Sequence, residues 1–132
     1  MIAVDASALL AIAFEEPEER LFISVLGETA AAYITPVNYL EAGIILIRRG
    51  FLPDRHRFEQ WLAEVGILVR EDLPLASSAL AAYLRFGKGF HPAKLNLADC
   101  FAYALATALN APLLYKGDDF ARTDIRSALQ PT

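Results

Sequence analysis

Apolar positions along this chain come in two rhythms. Short unbroken runs, Ile2-Ala3-Val4, Ala31 to Thr35, Ile67 to Val69 and Pro112 to Tyr115, have the length and content of strands buried on both faces. Between them lie longer stretches with helical spacing. Ala6 to Phe14 is rich in Ala and Leu and is interrupted by Glu15-Glu16-Pro17, after which a second helix is predicted through about Leu26. Thr35-Pro36 supplies an N-cap and a proline at the first helical position, and the apolar run that follows ends at Arg48-Arg49-Gly50, two cations and a glycine stop. Phe58, Trp61, Leu62 and Val65 recur at i, i+3, i+4 and i+7, which gives one buried face to a helix from about Asp54 to Glu64 and makes Trp61 a core or interface residue.

Leu75 to Phe86 predicts a further helix. The glycines and proline of Gly87-Lys88-Gly89-Phe90-His91-Pro92 then impose a loop, and Asn96 caps a helix running to Leu109. Asp118 to Arg122 reads as a helical turn, and the tail after Thr123 as a short last strand. Strands and helices alternate throughout, which implies a parallel sheet of four to five strands covered on both faces, joined by right-handed crossovers. No repeat, low-complexity tract or flexible linker divides the chain, and 132 residues suffice for one domain burying roughly two thirds of its extended surface.

Composition changes this picture only in places. A hydrophobic content of 55% and a positive mean hydropathy suit a doubly covered sheet or a subunit interface. A single cysteine, Cys100, excludes an internal disulfide framework and a cysteine-rich zinc site, and is read as a small buried hydrophobe in a reducing, cytoplasmic setting. The apolar start contains Asp5 and lacks a basic leader, and the uncharged stretch from Cys100 to Tyr115 is broken by Asn110 and Pro112, so neither reads as a membrane span. The net charge of −4 argues against a non-specific nucleic-acid binder, an objection that weakens if acids gather in a cation-filled pocket.

The acids do fall where such a pocket belongs. In an open parallel sheet, chemistry sits beyond the carboxyl ends of the strands, where strand order reverses. Asp5 directly follows the first strand, Glu41 lies two turns into the helix after the second, and Asp118 follows the fourth after a short loop. Asp99 begins the helix that leads into the fourth strand, and an antiparallel helix starts at that same edge. Carboxylates about 4 to 6 Å apart repel by several kcal/mol per close pair at an effective dielectric of about 20, which a hard divalent ion relieves. Oxygen ligands without His or Cys select Mg²⁺, with Mn²⁺ as substitute, and such an ion activates water against a phosphodiester.

Each acid also has a plain structural reading. Asp5 suits an ordinary N-cap, Asp99 the third position of a helix capped by Asn96, and Asp118 or Asp119 the cap of the final turn. Glu41, in the apolar stretch Leu40 to Ile45, is harder to assign structurally, because a buried unpaired glutamate is costly. Asp72 also follows a strand, but one expected at an edge away from the reversal point, and is read as a cap.

These residues carry a family resemblance. Ile2-Ala3-Val4-Asp5-Ala6-Ser7-Ala8, Pro36-Val37-Asn38-Tyr39-Leu40-Glu41-Ala42, Leu97-Ala98-Asp99-Cys100-Phe101-Ala102-Tyr103-Ala104-Leu105-Ala106 and Pro112-Leu113-Leu114-Tyr115-Lys116-Gly117-Asp118-Asp119-Phe120, in this order and spacing, resemble the PIN-domain nucleases, specifically VapC-type toxins of toxin-antitoxin pairs. The match covers essentially the whole chain. It implies a three-layer α/β/α PIN-like fold with sheet order 3-2-1-4-5, Mg²⁺-dependent cleavage of single-stranded RNA, a homodimer, and inhibition by a cognate antitoxin protein. It further implies that Asp5, Asp99 and Asp118 hold metal, that Glu41 completes the catalytic set, that Ser7 holds a metal-bound water or phosphate oxygen, and that Asn38 supports Glu41. Family members often carry Thr or Ser before the fourth acid. Here Lys116-Gly117 stands instead, so Asp119 competes with Asp118, the choice on sequence.

Lys88, His91, Lys94, Lys116 and Arg122 are candidates for phosphate binding, and Phe90 for stacking on a base, against the reading that all are solvated loop residues. The apolar helices between Pro36 and Val65 are the expected subunit and antitoxin contacts. Two rival functions remain at this stage. A receiver-type or phosphatase-type domain with an aspartyl phosphoryl acceptor would need a second acid at Ser7 or paired acids at the end of the first strand, and a non-catalytic PIN-like module would serve binding alone.

Overall fold

The computed structural model describes residues 1–129. Four strands, β1 (Ile2–Val4), β2 (Ala32–Ile34), β3 (Ile67–Val69) and β4 (Leu113–Leu114), form one parallel sheet in the order β3-β2-β1-β4. The chain runs outward from β1 to β3, then returns to place β4 on the other side of β1. The reversal of strand order therefore lies between β1 and β4, whose registers pair Ala3 with Leu113 and Val4 with Leu114.

A fifth strand is reduced to one bridge. The Leu113 amide donates to the Arg126 carbonyl at 2.8 Å and the Ala128 amide to the Leu113 carbonyl at 2.9 Å, so Ser127 alone pairs in parallel beside β4. The tail gains the hydrogen bonds of a strand at one position.

Among the described residues six helices cover the sheet: α1 (Ala6–Ala13), α2 (Glu19–Glu28), α3 (Pro36–Arg48), α4 (Arg55–Glu64), α5 (Ala76–Phe86) and α6 (Leu97–Leu109). Side-chain alternation along the strands sorts them into layers. Ile2 and Val4 of β1, Ala32 and Ile34 of β2 and Leu114 of β4 pack with α1 to α4, while Ala3 and Leu113 face α5 and α6. No helix among the described residues is long and apolar enough to cross a membrane.

Two helices matter most for the site. Helix α3 starts as its sequence requires, with Thr35 Oγ1 accepting from the Asn38 amide and Pro36 in the first turn. Gly43 lets it lie close to α4, since a Cβ there would stand 2.9 Å from the Phe58 ring. Helix α6 is buried on several sides, at Cys100, Ala102, Tyr103, Ala104, Leu105 and Ala106. Its alanines let it sit between α5, α3 and the sheet, and so its N-terminus is fixed at the carboxyl edge. It ends at Asn110 in the left-handed region, φ 49°, a conformation asparagine tolerates.

Candidate active site

Asp5 occupies the reversal point. Its backbone amide donates to the Leu114 carbonyl at 2.9 Å, tying the end of β1 to β4, and its Oδ2 accepts from the Ser7 amide at 3.0 Å as N-cap of α1. The plain cap reading is thus true of one oxygen. The residue is nevertheless only 3% exposed. Burial pushes its carboxyl up to about 6; the hydroxyl and amide of Ser7 pull the other way, and the Glu41 charge adds to the rise.

Beneath Asp5 lies a buried polar network. Thr35 Oγ1 donates to Asn38 Oδ1 at 2.6 Å, and Asn38 Nδ2 donates to the Ala98 carbonyl at 3.0 Å and, more weakly, to Asp5 Oδ1 at 3.5 Å. Thr35 and Asn38 are fully buried. The Asn38 carboxamide makes no hydrogen bond to Glu41; it joins α3 to the start of α6 and reaches Asp5. The reason is helical geometry. Asn38 lies on the inward face of α3 two residues after Pro36, whereas Glu41 lies on a half-buried flank.

Asp99 makes a capping box with Asn96. Its Oδ2 accepts from the Asn96 amide at 3.0 Å while Asn96 Oδ1 accepts from the Asp99 amide at 2.9 Å, the reciprocal arrangement that satisfies two free amides of a helix start. Burial still raises its carboxyl to about 6, and repulsion from Asp5 and Asp119 adds to the rise. Glu41 is half-buried and makes no hydrogen bond or ion pair among the described residues. Burial raises its carboxyl above the ordinary glutamate value, with the Asp99 charge acting in the same direction.

Asp118 and Asp119 follow β4 on an exposed loop that turns at Gly117, φ 98°, before the 3₁₀ turn Phe120–Arg122. Asp119 holds the N-cap position of that turn without making a side-chain capping bond, so the structural reading is not realised there. Of these two adjacent acids, Asp119 is the one whose charge acts on Asp99. The loop is fixed at its base: the Lys116 amide donates to Ser7 Oγ at 3.0 Å, so the hydroxyl expected to meet a phosphate also braces β4 against α1.

Lys116 itself is engaged. Its ammonium lies 2.5 Å from Glu16 Oε2 and 3.5 Å from Glu18 Oε1, in the corner between α1 and α2. Sequence reasoning missed this partnership, which joins residues one hundred positions apart; only the acid-rich Glu15 to Glu19 segment hinted at a cation partner. His91 Nδ1 accepts from the Ala93 amide at 3.0 Å, and Arg122 Nη1 donates to the Pro92 carbonyl at 3.2 Å. Lys88 and Lys94 make no ion pair among the described residues. Asp72, set aside as a cap, is instead the ion-pair partner of Arg70 at 2.8 Å, just beyond the end of edge strand β3.

Among the described residues, no three His, Cys, Asp or Glu side chains stand close enough together to hold a metal ion as they are placed. The site holds a chain of mutually repelling carboxylates instead. Glu41 acts on Asp5, Asp99 on Glu41, and Asp5 and Asp119 on Asp99. Such a group is relieved by protonation or by a cation. Its donors are all oxygen, as a hard dication prefers, so the residues present fit Mg²⁺ in chemistry and charge.

Apolar grooves lie along the helices around this centre. One, of about 440 Å³ between α3 and α4, is lined by Leu40, Ile44, Ile47 and Phe58 together with Arg48 and Arg55. A larger one, about 550 Å³ between α5 and α6, includes Leu80, Tyr83, Leu97 and Phe101. The helices between Pro36 and Val65 were the expected contacts; the second groove lies outside them, between the consecutive helices α5 and α6, whose Leu80 and Leu97 are exposed at 61% and 67%.

Comparisons with known proteins point one way. The PIN domain profile matches residues 2–126. Ribonuclease VapC of Mycolicibacterium smegmatis is 38% identical over 125 residues, covering 94% of this chain and 97% of the relative. Ribonuclease VapC30 of Mycobacterium tuberculosis is 35% identical over 131 residues, covering 98% and 100%. The crystal structure of Mycobacterium tuberculosis VapC20, described as a sarcin-ricin loop cleaving toxin, superposes with a TM-score of 0.74 over 95% of this chain and 96% of that one; at 13% identity it speaks for the fold.

Proposed function

Because this chain belongs to the PIN-domain family, with VapC ribonucleases as its relatives, we propose that it is a Mg²⁺-dependent endoribonuclease acting as the toxin of a toxin-antitoxin pair. The observation that carries the reading is Asp5: a nearly fully buried carboxylate at the reversal point of the sheet, raised to about 6, in electrostatic contact with Glu41 and, through Asp99, with Asp119. Neither a receiver-type nor a phosphatase-type site is supported, since Ser7 stands where a second acid would be needed and its hydroxyl braces Lys116.

Asp5, Asp99 and one acid of the pair Asp118 and Asp119 hold the dication; Asp119 takes precedence over Asp118 because its charge reaches Asp99. When bound, the ion supplies Lewis acidity toward a phosphodiester and removes the mutual repulsion of its ligands. The chain's own groups do the rest. Asn38 and the Ser7 amide fix the Asp5 carboxylate in one orientation. The Asn96 capping box does the same for Asp99. Glu41, half-buried, unpaired and raised in pKa, is suited to accept the proton of an attacking water. As water adds to phosphorus its proton passes to the Glu41 carboxylate, the bond to the 3′ oxygen breaks, and that oxygen takes a proton from solvent, so the products carry 5′-phosphate and 3′-hydroxyl ends.

The two apolar grooves support two protein partners, a second copy and an antitoxin, and the lone buried Cys100 suits the cytoplasm. The test is incubation with single-stranded RNA in Mg²⁺ or EDTA, alongside Asp5→Asn. Cleavage that needs Mg²⁺ and is lost in the variant is the expected result; equal cleavage by Asp5→Asn overturns the assignment.

A further inference from the structure

Between Asp72 and Asp99 the chain carries no acid, yet this stretch holds Arg85, Lys88, His91 and Lys94 in a protein of net charge −4. Its centre is a closed loop, residues 87–95. Gly87 and Leu95 form a parallel bridge, the Lys88 amide donates to the Leu95 carbonyl at 3.0 Å, and the Leu95 amide donates to the Phe86 carbonyl at 3.1 Å. Tyr83 Oη donates to the Lys88 carbonyl at 3.0 Å. Gly87 is required, because a Cβ there would stand 2.4 Å from the Tyr83 carbonyl oxygen.

This construction presents an aromatic ring. Phe90 is 60% exposed, and its ring is held edge to face by Tyr83 at 5.7 Å between centroids. Lys88 and Lys94 flank it in sequence without ion-pair partners among the described residues, and Arg122 bonds to Pro92 of the same loop through an uncharged carbonyl, which leaves its charge uncompensated. By contrast Arg55, Arg70, Arg85 and Lys116 are all ion-paired. The loop runs directly into Asn96, whose amide donates to Asp99, so it leads to the carboxylate centre.

We propose that loop 87–95 is a subsite for an unpaired nucleotide next to the cleavage centre, with Phe90 stacking on the base and Lys88, Lys94 and Arg122 drawing the adjoining phosphates. This rests on the nuclease reading above and adds to it the residues that select a single strand. A base within a duplex has both faces covered by its neighbours and offers none to Phe90, whereas any unpaired base offers its ring. His91 and Lys116 are excluded from the grip: the first accepts a loop amide on Nδ1, the second is paired with Glu16 and Glu18.

The test uses the full chain with Asp5→Asn as the parent, and fluorescence anisotropy with a labelled unstructured RNA oligonucleotide and a blunt RNA duplex. Phe90→Ala is expected to weaken single-strand binding about tenfold and to leave duplex binding unchanged, with Phe90→Trp restoring it. Lys88→Ala with Lys94→Ala is expected to lower the slope of log affinity against log salt by about 1.4, at roughly 0.7 per phosphate of a single strand. A parent that binds RNA while Phe90→Ala matches it refutes the subsite alone. A parent that binds neither RNA refutes the nuclease reading and the subsite together. Variants that keep RNA affinity but lose binding to a polyglutamate peptide make the loop a protein contact and also refute it.

Discussion

The side-chain amide of Asn38 donates to the carbonyl of Ala98, sixty positions away, at 3.0 Å, joining the first turns of two helices. Through this bond the elements bearing Glu41 and Asp99 are held in one frame, and the same nitrogen reaches Asp5. Replacing it with Ala keeps the backbone amide on Thr35 Oγ1 but strands the Thr35 hydroxyl proton and the Ala98 carbonyl, at about 1 to 3 kcal/mol for each group so stranded. Asn38→Ala is expected to lower unfolding stability by about 2 to 4 kcal/mol in urea denaturation. A loss below about 0.5 kcal/mol would show that the network contributes little.

Asp5→Asn should separate function from stability. A buried carboxyl raised from 3.8 to about 6 is disfavoured when ionised at neutral pH, a difference of about 3 kcal/mol at 1.36 kcal/mol per pKa unit. In metal-free buffer at pH 7.5 the variant is expected to unfold at a higher temperature than the parent chain while cleaving no RNA. Scanning calorimetry and an RNA gel read the two effects separately.

The same shift fixes a pH profile. Asp5 and Asp99 both have folded-state values near 6, above their unfolded value of 3.8. The folded protein therefore binds more protons than the unfolded chain between those limits, and their contribution to stability is full below about pH 4 and lost as pH rises through about 6. Without metal, stability attributable to these groups falls across that window. Urea midpoints at pH 4.5 and 7 for the parent and for Asp5→Asn should converge at low pH and diverge at high pH; parallel curves would contradict it.

Lys116 distinguishes bracing from substrate contact. Its ammonium is shared by Glu16 and Glu18 and its amide is bonded to Ser7, so Lys116→Met loosens the loop that carries Asp118 and Asp119. The expected kinetic result is a lower kcat with KM for RNA nearly unchanged. A raised KM with kcat preserved would instead restore the phosphate-binding role that the sequence suggests.

How much of this was legible beforehand follows from the range of each interaction. The strands Ile2–Val4 and Ile67–Val69 and the cap at Thr35 are written in contiguous residues, and they stand where the sequence places them. The last strand read after Thr123 falls in the right place, but its reduction to one bridge at Ser127 was not legible, because that pairing runs through backbone alone. Asn38 and Lys116 have obvious chemistry but act on partners sixty and one hundred positions away, and no local pattern encodes that. The choice between Asp118 and Asp119 depends on the turn at Gly117, whose positive φ directs the loop after β4.

That choice is itself testable. Asp119→Asn is expected to reduce cleavage about a hundredfold or more and Asp118→Asn by less than tenfold, since a removed ligand affects metal affinity and activity more than a removed neighbour does. Initial rates at saturating Mg²⁺ compare them directly, and the reverse ranking would return the fourth place to Asp118.

Titration calorimetry of Mg²⁺ into the metal-free native protein addresses the carboxylate centre most directly. Saturable uptake at pH 7.5 that disappears in Asp5→Asn and weakens at pH 5, where Asp5 and Asp99 are largely protonated, is the predicted result. No uptake by the native chain, or undiminished uptake by the variant, would contradict a dication held where β1, α3 and α6 meet.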